Sequence, residues 1–198
     1  ATAVAREILA STHLPVGIAS SVTGQSEEMQ QSFRSLLLAF ALAVFLVYLV
    51  MASQFESLRH PFIILFTIPM GLIGAVWGLA LTGTTVNAVA FIGLILLAGI
   101  VVNNAIVLLD AVNQARERGL ERHEALVLAG RTRLRPILIT SVSTILGLVP
   151  MAIGLGEGAE VRRPMAITVI GGMLVATVLT LIVIPVLYTL LDRRERRP

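Results

Sequence analysis

The sequence predicts an all-α polytopic membrane protein of five transmembrane helices, preceded by a short α/β segment. Three observations carry this. Hydrophobic residues make up 56% of the 198 and charged residues 14%, whereas a soluble domain carries about a quarter charged residues. The apolar residues fall in five stretches long enough to cross a bilayer, each near or above the ~20 residues a spanning helix needs. Arginines crowd alternate connectors between those stretches, the signature of membrane topology.

Residues 1–31 differ from the rest and form the expected first unit. Ala1 to Ser11 suits the end of an amphipathic helix with Val4, Ile8 and Leu9 on one side. His13-Leu14-Pro15-Val16-Gly17 breaks it, and Ile18 to Thr23 suits a short strand ending at Gly24, since Pro and Gly punctuate regular elements. A lone strand needs pairing partners, so this segment reads as the edge of a soluble domain. The chain opens at Ala1 without a Met or a basic n-region, as expected of a portion of something longer.

Ser26 is the expected cap of the next helix, with Glu27 and Glu28 in its first turn, where the helix dipole favours negative charge. It runs into the first apolar stretch, Leu36 to Ala52; the others are Pro61–Leu81, Val86–Leu109, Pro136–Leu155 and Pro164–Leu191. With flanks, the predicted membrane domain is 32–198, and its spans are about 32–53, 61–82, 86–112, 135–155 and 164–191. Between the third and fourth, Leu120, Ala125, Leu126 and Leu128 alternate with Glu121, Arg122 and Glu124, predicting an amphipathic surface helix at about 120–130.

All fifteen basic residues are arginines. One set of connectors holds Arg59, then Arg116, Arg118, Arg122, Arg131, Arg133 and Arg135, then Arg193, Arg194, Arg196 and Arg197. The intervening connectors hold only Arg162 and Arg163. By the positive-inside rule the N-terminus lies outside and the C-terminus inside. The same distribution argues against a nucleic-acid face. With no cysteine, disulfides, thiol catalysis and cysteine metal sites are excluded. His13, His60 and His123 are scattered outside the apolar runs, and no nucleophile–base pair suggests an enzyme. No cofactor and no resident metal is expected.

Gly71, Gly74 and Gly78 in the second span, and Gly171, Gly172 and Ala176 in the fifth, predict close helix packing. The third span carries Asn103 and Asn104 within apolar sequence, with Asp110 seven residues beyond Asn103 and Gln114 a turn further. Asn103, Asp110 and Gln114 therefore share a face, which must meet other helices or water because lipid cannot satisfy it. Periodicity alone does not separate a functional stripe from interhelical hydrogen bonds that only hold the bundle. Asp110 lies about 10 Å along the axis from Asn103, toward the inner headgroups, and does not read as a buried proton carrier. In the fourth span Arg133, Thr140 and Thr144 share a face if the helix starts before Pro136; such threonines often bond only their own backbone.

The order of segments then resembles a known family. Its landmarks are Phe55-Glu56-Ser57-Leu58 with Pro61, Ile68-Pro69-Met70-Gly71, and Gly99-Ile100-Val101-Val102-Asn103-Asn104-Ala105-Ile106. Arg133-Leu134-Arg135-Pro136-Ile137-Leu138 with Thr140-Ser141 follows, and Gly171-Gly172-Met173 closes the set. Together they are similar to the C-terminal five spans of resistance-nodulation-division inner-membrane pumps, in the hydrophobe/amphiphile efflux branch. The resemblance covers nearly the whole chain, in order, and its weight lies in the combination.

The resemblance implies half of a twelve-span bundle in a homotrimeric proton antiporter, with residues 1–31 ending a periplasmic porter subdomain. It implies a periplasmic adaptor, an outer-membrane channel in two-membraned bacteria, and amphiphilic cargo. In such pumps a carboxylate pair in the first half is answered by a Lys, an Arg and a Thr. Arg133 and Thr140 match the last two; the lysine position falls on Asn103, and the chain contains no Lys. These three are the expected relay residues, with Asn104, Asp110 and Thr144 as a wider polar stripe. Two other readings stay open. One is a metal-ion exporter of the same superfamily, against which the scatter of Met51, Met70, Met151, Met165 and Met173 argues mildly. The other is an accessory or protein-translocation component without small-molecule cargo.

Overall fold

The computed structural model describes residues 25–191, and every regular element within them is an α-helix. The expected helix and strand of residues 1–24 and the arginine-rich tail after Leu191 lie outside the described residues. Helix α1 runs Gln25–Gln54, α2 Arg59–Leu65, α3 Thr67–Leu81, α4 Ala88–Glu117, α5 Arg122–Ile153 and α6 Ala159–Leu191. Five helical stretches, counting α2 and α3 as one, are long and apolar enough to cross a membrane. This agrees with the sequence expectation of a five-span helical bundle.

Several boundaries differ from expectation, each for a local reason. Ser26 lies within α1 rather than at its cap. The second span is broken at Phe66, three residues before Pro69. Proline supplies no N–H to the fourth carbonyl upstream and its ring crowds that carbonyl, so the ladder is interrupted there. Beside the break the Thr67 hydroxyl donates to the Ile64 carbonyl at 2.7 Å.

The surface helix expected at 120–130 and the span expected at 135–155 fall on one continuous helix, α5, which passes through Pro136. Upstream of that proline the chain is rich in Ala, Leu, Glu and Arg, strong helix formers that extend the helix rather than let proline start it. The fifth span likewise begins five residues early, at Ala159, and carries Pro164 inside its first turns. The α4 start is capped by Asn87, whose side chain accepts from the Ala90 amide at 2.8 Å, relieving one of the orphan donors of a helix N-terminus. At the end of α5, Gly154 takes φ +90°. Its amide and that of Leu155 close back on the Met151 and Pro150 carbonyls, a left-handed stop that glycine adopts without a Cβ clash.

Helix α6 is the hub, packing against α2, α3, α4 and α5, whereas α1 packs only on α2 and α4. Contacts at the two ends fix the direction of each span. Phe33 near the start of α1 meets Phe91 near the start of α4, ring centroids 5.3 Å apart. At the opposite end His60 of α2 stacks on Tyr188 of α6 at 5.9 Å, and Phe55 meets His60 edge-on at 5.8 Å. Tyr188 also reaches Asn113 of α4, and Arg122 at the start of α5 reaches the Thr189 carbonyl of α6, both at 3.5 Å. The spans therefore alternate in direction. His60, read from sequence as one of three scattered histidines, is packed into the end that gathers the arginine-rich connectors.

Glycines set the closest approach in the bundle. A Cβ on Gly74 would lie 2.5 Å from the Gly171 carbonyl oxygen, and one on Gly171 would lie 2.7 Å from the Gly74 carbonyl oxygen. The two small-residue stripes thus mesh α3 directly against α6, the packing role expected from their spacing.

Candidate functional site

The buried residues of α4 form one stripe, Leu97, Val101, Ala105, Leu108 and Val112 among them, spaced to face the neighbouring helices. Asn103 falls on the opposite face and is exposed, as is Gln114; Asp110 and Asn104 are half-buried. Asp110 Oδ2 accepts from Gln114 Nε2 at 2.8 Å, one helical turn along, so its carboxylate is engaged locally. Neither Asn103 nor Arg133 has a hydrogen-bond or ion-pair partner among the described residues.

On α5, Arg133 is half-buried and Thr140, seven residues on, is exposed. The Thr140 hydroxyl donates to the Ile137 carbonyl at 3.0 Å, and the Thr144 hydroxyl to the Thr140 carbonyl at 2.9 Å. Both bond back to their own helix, the local alternative open to a membrane threonine. Arg133 and Thr140 are about 10 Å apart along the axis, with α4 packed alongside. Asn103, Arg133 and Thr140 thus belong to adjoining helices and point polar groups out of the described bundle or to its edge.

The structure adds a second polar group that the sequence reading passed over. Of the three apolar clusters among the described residues, the two larger flank a polar layer. One gathers Ala105, Leu108, Ile137, Ile184 and Tyr188; the other gathers Leu97, Val101, Met173 and Ala176, with Ile145 and Leu148 packed against it. In the layer between them Asn104 follows Val101 on α4, Ser141 lies between Ile137 and Ile145 on α5, and Thr177 and Thr180 lie between Ala176 and Ile184 on α6. The Ser141 and Thr177 hydroxyls bond across the helices at 3.0 Å, both buried. Thr180 is 2% exposed and its hydroxyl has no partner among the described residues. The layer meets the surface at the level of Asn103 and Thr140. Ser141 adjoins Thr140 in sequence and Thr177 lies one turn from Thr180, a hydroxyl pair at helical spacing that is the sequence signal for this layer.

Among the described residues no group of three or more His, Asp or Glu side chains is arranged to hold a metal ion. The arrangement instead offers amide, hydroxyl and guanidinium groups as donors and acceptors for a proton-bearing or charged partner, with Asp110 seven residues along the Asn103 face and tied to Gln114.

Comparison with known proteins places this architecture. Residues 1–192 match the model of the AcrB/AcrD/AcrF family. The chain is 42% identical over 186 residues to the swarming motility protein SwrC of Bacillus subtilis, covering 93% of this chain and 18% of SwrC. It is 37% identical over 199 residues to the multidrug resistance protein MdtC of Erwinia tasmaniensis, covering 100% of this chain and 19% of MdtC. Two crystal forms of a heavy metal efflux pump superpose with TM-scores of 0.81 and 0.78 at 34% and 33% identity, covering 98% of this chain and 19% of that pump. The chain thus spans about a fifth of the length of these relatives. Matched along nearly its whole length in sequence and in fold, it belongs to the AcrB/AcrD/AcrF family of the resistance-nodulation-division transporters and corresponds to a membrane portion of them.

Proposed function

We propose that this chain is the membrane portion of a proton-driven exporter of amphiphilic compounds, and that Arg133, Thr140 and Asn103 are its contribution to the proton relay. The observation that carries the reading is the polar face at mid-span. Asn103 and Thr140 are exposed by the five-span bundle although each sits within apolar helix. Hydrocarbon cannot satisfy an amide, and membrane-embedded polar groups face protein or water. A carboxylate-bearing helix supplied by the rest of the transporter fits that face.

The chemistry follows from the side chains. Arginine stays charged at every physiological pH, so the group that gains and loses the proton is the facing carboxylate. Ionised, it pairs with Arg133; protonated, it releases the guanidinium and donates instead to a neutral acceptor. Asn103 can hydrogen-bond either form through its amide, so it positions the carboxylate without switching. This relay works with one cation where relatives with a lysine would use two. Asn104 and Thr144 border the site, and Asp110, held by Gln114, sits toward the arginine-rich end. The proposal includes a homotrimer in the bacterial inner membrane, N-terminus periplasmic and C-terminus cytoplasmic, working with a periplasmic adaptor and an outer-membrane channel.

Arg133→Ala in the full-length protein tests the relay. Drug export by cells should be abolished while the protein still assembles, and Arg133→Lys should restore part of it; normal export by the alanine variant would overturn the proposal. A second reading, metal export, is favoured by the likeness to a heavy metal efflux pump. Growth of a pump-deficient host on ethidium against growth on silver or copper salts separates the two cargos.

A further inference from the structure

At the end of the bundle that gathers the arginine-rich connectors, an open groove of about 380 Å³ runs between the first turns of α5 and the last turns of α6. Its walls are mainly apolar, formed by Leu126, Val127, Pro185, Val186 and Leu190, with His123 and Thr189 as the polar lining. The Arg122 guanidinium lies across the Thr189 edge, donating to the Thr189 carbonyl at 3.5 Å. Arg131 is one turn beyond Val127 on the groove face of α5 and is exposed. Along the first half of α5, which forms one wall, Arg122, Arg131, Arg133 and Arg135 stand against Glu121 and Glu124, so that wall is net positive.

We propose that this groove binds an anionic phospholipid, its acyl chain along Leu126, Val127 and Val186 and its phosphate at the Arg122 edge. Two features of the molecule select this occupant. The walls call for a hydrocarbon guest and the rim for a negative one, a combination found in phospholipids; basic pockets between membrane helices are suited to such headgroups. The chain's own next segment, Asp192-Arg193-Arg194-Glu195-Arg196-Arg197, is charged throughout and positive in sum, so it suits neither the walls nor the rim. Within the amphipathic stretch 120–130, Leu126 and Val127 line the groove while Arg122 stands at its edge.

The test is native mass spectrometry of the full-length protein, delipidated in detergent and titrated with dioleoyl phosphatidylglycerol or dioleoyl phosphatidylcholine. Phosphatidylglycerol should be retained in preference to phosphatidylcholine. Val127→Trp, which fills the groove, should remove that retained lipid. Arg122→Gln should cut the preference about fivefold, the effect of one arginine beside an anionic headgroup. Glycerophosphate, which lacks acyl chains, should not displace the lipid. Arg122→Gln leaves the walls intact and carries the test should Val127→Trp fail to fold. Equal retention of the two lipids, or retention unchanged in both variants (as when another segment of the protein covers the groove), would refute the proposal.

Discussion

Replacing Gly74 by alanine should loosen the bundle at the seam between α3 and α6. The new Cβ would lie 2.5 Å from the Gly171 carbonyl oxygen, 2.7 Å from Val175 Cβ and 3.0 Å from Gly172 Cα. Two of these are backbone atoms, so no rotamer change relieves the clash. Ordinary contact begins at 3.4 Å, so α3 and α6 must part by roughly 1 Å, a gap that forfeits about a quarter to a half of each dispersion contact along the seam. Overpacking of this kind costs about 1–3 kcal/mol, and the rigid backbone on the far side places Gly74→Ala toward the upper end. The better helix propensity of alanine offsets about 1 kcal/mol. Gly71 provides the control on the same helix face. Its Cβ would meet the Leu97 side chain at 3.4 Å and Ala176 Cβ at 3.8 Å, both ordinary contacts. Gly71→Ala should be neutral, or stabilising by up to about 1 kcal/mol from helix propensity. Thermal unfolding of both full-length variants in mild detergent should give a lower midpoint for Gly74→Ala and an unchanged or higher one for Gly71→Ala. Equal midpoints would show that the glycine mesh does not set the distance between α3 and α6.

Two further expectations concern the polar layer. A double-mutant cycle of Ser141→Ala and Thr177→Val should give a coupling of about 0.6 kcal/mol, the usual worth of an interhelical hydrogen bond in a membrane bundle; additive effects on unfolding would mean that the 3.0 Å bond contributes nothing. Thr180→Val should leave stability unchanged or raise it by about 1 kcal/mol, because a buried hydroxyl without a partner costs desolvation that an isosteric methyl does not. A marked fall in the unfolding midpoint of that variant would show that the hydroxyl is satisfied after all.

How much of this was legible in the sequence depends on the scale of the physics involved. The spans were, because the bilayer imposes a length and forbids unsatisfied backbone, leaving long apolar helices as the solution. The glycine mesh was too, since only small residues at helical spacing let two backbones touch. Helix continuity was not: Pro136 and Pro164 read as helix starts, yet each lies inside a helix nucleated upstream by good helix formers. The break at Phe66 was not legible either: Pro61–Leu81 reads as one unbroken apolar run, and apolarity alone does not show that Pro69 interrupts the ladder within it. At the candidate site, periodicity gave the shared face of Arg133 and Thr140 but not the inward polar layer. Ser141 pairs with Thr177, thirty-six residues away, and only the packing of α5 on α6 brings them together. His60 likewise looked isolated until α2 and α6 set it against Tyr188.

The central claim is that Arg133 is the fixed charge against which a facing carboxylate takes up and releases its proton. Its most direct test is substrate-driven proton flux in proteoliposomes of the full-length transporter, followed with a pH-sensitive dye, for the native protein and Arg133→Ala. The account predicts that the variant assembles normally and shows no proton movement on addition of substrate. Undiminished substrate-linked proton flux in Arg133→Ala would contradict it.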